Sequence, residues 1–154
     1  MDHLEAAIAA AIANVTAGGG PFGAVLVAPD GRTFTAANRV TDLNDPTAHA
    51  EVMAIRAAGA ALGTFDLTGC VLYASCQPCP MCLAAAQWAR LDRVEFAATG
   101  DDAAAAGFDD DLILRGLRGE AVLETPVTRA HLDHPDDRLA PFQAWAAHEG
   151  KVHY

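Results

Sequence analysis

His49-Ala50-Glu51, followed further along by Pro78-Cys79-Pro80-Met81-Cys82, sets how the rest of this chain reads. Cys79 and Cys82 stand at i and i+3 and share one face of a helical turn. Pro80 suits the first position of a helix, where its missing N–H costs nothing. Cys79 then falls at the helix start, where free peptide N–H groups and the helix dipole favour a thiolate. His49 and Glu51 are two residues apart, which is not one helix face. They converge only at a first helical turn whose end points into a site, and Thr47 is the cap expected to place them there. Two thiolates and one imidazole suit a zinc ion at tetrahedral geometry. Three protein ligands leave one corner open, the mark of a catalytic rather than a structural zinc.

The elements around this pair follow from local patterns. Residues 2–17 carry Leu4, Ile8, Ile12 and Val15 at helical spacing and predict an amphipathic helix. The stretch Gly18-Gly19-Gly20-Pro21 breaks it. Residues 22–28, FGAVLVA, read as a buried strand, Pro29-Asp30-Gly31 as a turn, and 33–37 as an antiparallel return. Residues 38–47 contain Asn44-Asp45-Pro46 and read as a loop. A helix follows over about 48–62, closed by Gly63. Residues 70–74 give a third strand, the Pro80 helix runs to about Arg90, and 94–98 give a fourth strand. Beyond lie a helix near 101–106, the acidic Asp109-Asp110-Asp111, a short fifth strand within 122–128, and a last helix over 138–150 carrying Phe142 and Trp145. Strands alternate with helices, so the class is α/β with three layers, α/β/α, and a mixed sheet covered on both faces. A helix between the third and fourth strands makes that pair parallel.

A length of 154 residues suits one domain, and 52% hydrophobic residues provide a core. The net charge is −10, with Lys151 the single lysine and the arginines scattered. A protein that grips nucleic acid by its phosphates needs a basic stripe, and none is visible; a small neutral substrate suits this charge better. Residues 6–13, AAIAAAIA, resemble the apolar part of a signal peptide, but the acidic start before them argues for a helix instead. No strongly apolar run reaches the length of a membrane span. Cys76, Cys79 and Cys82 cluster within seven residues, a poor layout for disulfides, which points to metal or redox chemistry in the reducing cytoplasm.

Other readings stand beside the open zinc site. The CxxC could be a redox pair, or Cys76 or Cys70 could complete a four-ligand structural zinc. The histidine and acid together favour catalysis. H-x-E followed by P-C-x-x-C is the signature of zinc deaminases acting on nucleobases, in which the glutamate is a proton carrier and not a ligand. One carboxylate serves as base and then as acid because the steps are sequential.

The chain also resembles the bacterial guanine deaminases of the cytidine-deaminase-like superfamily. The likeness lies in GPFGAV (20–25), NDPTAHAEV (44–52), residues 72–82, WAR (88–90), AGFDD (106–110) and PFQAW (141–145), and so covers almost the whole chain. The last two segments point to guanine. The resemblance implies a five-stranded mixed sheet and hydrolysis of guanine to xanthine and ammonia. It implies one zinc per subunit, on His49, Cys79 and Cys82, with Glu51 as proton shuttle. It implies Asn38 and Asp110 as base-binding residues and Phe22 as an aromatic covering the base. It implies a homodimer exchanging a C-terminal segment, about 109–154, so that Asp110 and Tyr154 complete the partner's site. Related sequences commonly read SCEPCPMC; here Gln77 replaces that glutamate, keeping its shape but losing a charge beside the metal. His131, Asp133 and His134 read as a polar surface loop rather than a second metal site.

Overall fold

In the computed structural model, which describes residues 2–130 and 138–153, four strands form one mixed sheet. The first helix, α1 (His3–Thr16), leads through the glycine break into β1 (Gly23–Val27) and β2 (Thr33–Ala37). A single turn, α2 (Val40–Leu43), precedes α3 (Ala50–Leu62). Then come β3 (Val71–Cys76), α4 (Pro80–Trp88) and β4 (Arg93–Ala98), followed by α5 (Gly100–Ala105), α6 (Asp111–Leu117) and α7 (Ala140–Ala147). The strand order is β2-β1-β3-β4. β1 pairs antiparallel with both β2 and β3, and β3 pairs parallel with β4, as the joining helix requires.

Alternate residues of β1 bind the two outer layers together. Ala24 and Leu26 pack with Ala50, Ala54 and Ala58 of α3 in the main core. On the other face a Cβ at Gly23 would strike the backbone of Ala7 and Ala11 in α1, so the helix lies directly on the strand. That close approach selects small residues: Ala7 and Ala11 are the buried positions of α1, whereas Ile8, Ile12 and Val15 are exposed. The apolar stripe expected to face the core therefore faces away from it. It lines a second cavity of about 390 Å³ beside the sheet end.

The expected fifth strand does not form. Residues 122–128 are described and irregular, with Val122 and Val127 more than 90% exposed. Pro126 removes a ladder donor from the middle of the segment, and among the described residues none of the four strands pairs with it. Among the described residues the sheet has four strands, with β4 at its edge. Residues 111–117, which begin at the last residue of the acidic run, form α6, an exposed helix with Asp111 in its first turn, where a carboxylate is favourable.

Candidate active site

Two helix N-termini build the site. The α3 helix begins at Ala50 with His49 as its N-cap in an extended conformation (φ −67°, ψ 155°), without a side-chain capping bond. The His49 carbonyl accepts the Met53 N–H at 2.9 Å and starts the helical ladder, while its imidazole is left to turn toward α4. Thr47 is not the cap. Its hydroxyl donates to Asp45 Oδ1 at 2.7 Å and its N–H to the same oxygen at 2.8 Å, a local turn that draws the side chain away from the helix end. The α4 helix begins at Pro80 with Cys79 as N-cap, and the Cys79 sulfur accepts the Cys82 N–H at 3.4 Å.

His49 Nδ1 lies 3.6 Å from the Cys79 sulfur and 3.5 Å from the Cys82 sulfur. Zinc bonds of about 2.3 Å to sulfur and about 2.0 Å to nitrogen, at tetrahedral angles, separate such donors by about 3.6 Å. The three donors thus already mark edges of a coordination tetrahedron, and they fit zinc. Among the described residues no fourth histidine, cysteine or carboxylate joins them. The Cys76 thiol donates to the Thr99 carbonyl at 3.6 Å, and Cys70 is buried in the core. The four-ligand structural arrangement is not the one adopted.

The electrostatics favour a thiolate before any ion arrives. A hydrogen bond from the Cys82 thiol, helped by His49 and by the Cys82 N–H, holds Cys79 down to about 4. The same shared hydrogen bond pushes Cys82 up. Its hydrogen bond to Cys79 raises His49. Glu51, in the first turn of α3, is 8% exposed; burial pushes its carboxyl above the usual range, as suits a group that must hold and release a proton.

A cavity of about 350 Å³ opens beside these groups, lined by Phe22, Asn38, His49, Glu51, Cys79 and Asp110 among others. Cys82 is fully buried. Every site residue expected from the sequence is thus gathered in or against one cavity except Tyr154, which lies outside the described residues, as do His131, Asp133 and His134. Asn38 is buried, and its Oδ1 accepts the Val40 N–H at 3.2 Å. It is therefore a turn residue as well, with its Nδ2 the group it can offer to a ligand. Asp110 occupies the N-cap position of α6 without capping it; the Asp111 N–H goes instead to Asp109 at 2.9 Å. Burial, then the charge on Cys79, raises the Asp110 carboxyl.

Phe108 and Gln77 also line the cavity. Phe108 meets Phe22 edge to face; its only signal was membership of the AGFDD segment. Gln77 accepts the Gly100 N–H through Oε1 at 3.1 Å, so a neutral carbonyl at this position ties β3's exit to α5 without a carboxylate. Trp88 is 69% exposed at the end of α4.

Fold and site together define a zinc-dependent hydrolytic centre on an α/β/α frame. The zinc-binding region of cytidine and deoxycytidylate deaminases matches residues 1–98, and the chain belongs to that family. It is 47% identical to the guanine deaminase of Bacillus subtilis, covering 100% of both chains. The solved structure of guanine deaminase from Bacillus subtilis superposes with a TM-score of 0.90 at 46% identity, covering 100% of this chain and 99% of that one. A tRNA-specific adenosine deaminase of Agrobacterium fabrum is 49% identical over 79 residues, 51% of each chain.

Proposed function

We propose that this chain, one deaminase domain over residues 1–154, hydrolyses guanine to xanthine and ammonia with one zinc ion per subunit on His49, Cys79 and Cys82. The observation that carries the reading is that Phe22, Asn38 and Asp110, distant in sequence, line the same cavity as Glu51. The family match ends at residue 98, before Asp110, whereas the likeness to guanine deaminase of Bacillus subtilis runs the full length.

Zinc, when bound, lowers the pKa of water at its open corner to about 7. The Glu51 carboxylate takes the proton that this water loses and delivers it to a ring nitrogen of the base. It would then take the remaining proton of the hydroxyl gained by the amine-bearing carbon and give it to the amine as the C–N bond breaks. Asn38 offers an amide to the edge of the base, Asp110 accepts from its N–H groups, and Phe22 covers its face. The excess of acidic over basic residues, 20 against 10, supports a free base rather than a tRNA as substrate.

A homodimer that exchanges a C-terminal segment beginning beyond Asp110, which lines the cavity of its own chain, and brings Tyr154 to the partner's cavity is part of this reading. The C-terminal part leaves Ile113, Leu117, Phe142 and Val152 exposed, an apolar surface that supports its burial against a second copy. The four free cysteines support a cytoplasmic setting. The test is ammonia release by the zinc-loaded protein from guanine, cytosine, adenine and guanosine. Guanine should lead; a rank below any of the others refutes the substrate.

A further inference from the structure

We infer that Asn14 of α1 is a positioning residue that sets the base-reading amide of Asn38 and the aromatic cover Phe22 at their working separation. Its Nδ2 carries two hydrogens and donates both, to the Gly20 carbonyl at 2.8 Å and to the Asn38 carbonyl at 2.9 Å. The Gly20 carbonyl also accepts the Phe22 N–H at 2.9 Å, and the Phe22 carbonyl accepts the Asn38 N–H at 3.0 Å. Asn14, Gly20, Phe22 and Asn38 thus close a ring of hydrogen bonds between α1, the entry of β1 and the exit of β2.

The glycine break is shaped around this ring. A Cβ at Gly19 would stand 2.7 Å from Asn14 Cγ, and one at Gly20 would stand 3.2 Å from Asn38 Cγ. The Asn14 carbonyl adds a bond of its own, accepting the Gly19 N–H at 2.8 Å. Asparagine is a poor residue for a helix interior. Here no aliphatic side chain could hold two carbonyls, and an aspartate would turn an oxygen against them.

The inference rests on the role given above to Asn38, and a double-mutant cycle separates the two. Asn14→Ala, Asn14→Asp, Asn38→Ala and the double Asn14→Ala/Asn38→Ala are loaded with zinc as full chains. KM and kcat are then measured on guanine or, if guanine is not turned over, on the fastest base among cytosine, adenine and guanosine. A wild type inactive on guanine refutes the substrate and leaves the cycle on Asn14 to be read on the other base. Asn14→Ala should raise KM about tenfold, with Asn14→Asp at least as much. In both, kcat and zinc content should stay near the wild type. The double variant should fall short of the product of the two single effects. Unchanged KM in both Asn14 variants overturns the inference, as do effects that multiply in the double variant. Loss of zinc and of folded structure in both Asn14 variants assigns the residue to folding alone and overturns it equally.

Discussion

Phe22 and Phe108 meet edge to face, ring centroids 5.0 Å apart at 87°, in the wall between the zinc-side cavity and its apolar neighbour. One ring sits at the entry to β1, the other on the segment that leads to Asp110. An aromatic pair of this geometry contributes about 0.5–1.5 kcal/mol beyond its buried area. Phe108→Ala should therefore loosen the 107–110 segment and raise KM for guanine by about three- to tenfold, with a smaller effect on kcat. Phe108→Leu, which keeps the bulk but not the ring edge, should fall between. Steady-state kinetics on both variants check this; equal kcat losses without a KM change would remove Phe108 from substrate binding.

In the proposed reaction Glu51 carries the proton traffic and does not ligate the metal. Glu51→Gln keeps the buried volume and a hydrogen-bonding head but cannot accept a proton. Metal analysis should find zinc at the wild-type ratio, while kcat falls by about 10²–10⁴-fold, the usual weight of a general acid–base group. Zinc loss accompanied by residual turnover would contradict the assignment.

The trio of donors stands ready at tetrahedral separations, so chelation should be reversible. Removing zinc at neutral pH should abolish ammonia release and lower Tm, since an ion bound only by the folded state stabilises it by mass action. Returning zinc should restore both. Cys79→Ser should bind zinc far more weakly than Cys76→Ser, because the Cys76 thiol is engaged with Thr99 and not with the trio.

Legibility in the sequence divides along a physical line. The zinc donors and Glu51 were readable because coordination chemistry restricts residue type and helix geometry restricts spacing, and both constraints are local. Asn38, Phe22 and Asp110 required a family likeness, since nothing in a lone asparagine or phenylalanine distinguishes a pocket from a turn or a core. Errors arose where a second element decides the outcome. Periodicity marked Ile8, Ile12 and Val15 as the inner face of α1, but the strand beneath presents Gly23, and backbone contact favours Ala7 and Ala11. Residues 122–128 have strand-like composition but pair with none of the four strands, and Pro126 lacks the donor a ladder needs. Thr47 is a good cap by type, but Asp45 two residues earlier competes for its hydroxyl.

The Gly23 contact itself is open to test. An added methyl there would meet the Ala7 carbonyl oxygen and lie 2.6 Å from the Ala11 nitrogen. Both are helix backbone atoms, so relief requires α1 to move as a body. Overpacking of this kind costs about 1–3 kcal/mol, and at about 2–4 °C per kcal/mol for a domain of this size Gly23→Ala should lower Tm by roughly 2–12 °C. The displacement should not stop at stability. Asn14 rides on α1 and reaches across to Gly20 and Asn38, so lifting the helix pulls at the same ring that holds the Asn38 amide proposed to read the base. KM for guanine should therefore rise at temperatures well below the new Tm, with zinc content unchanged because His49, Cys79 and Cys82 sit on α3 and α4. Thermal melts, metal analysis and kinetics on one preparation check all three; a lowered Tm with unaltered KM would show that α1 moves without disturbing the pocket.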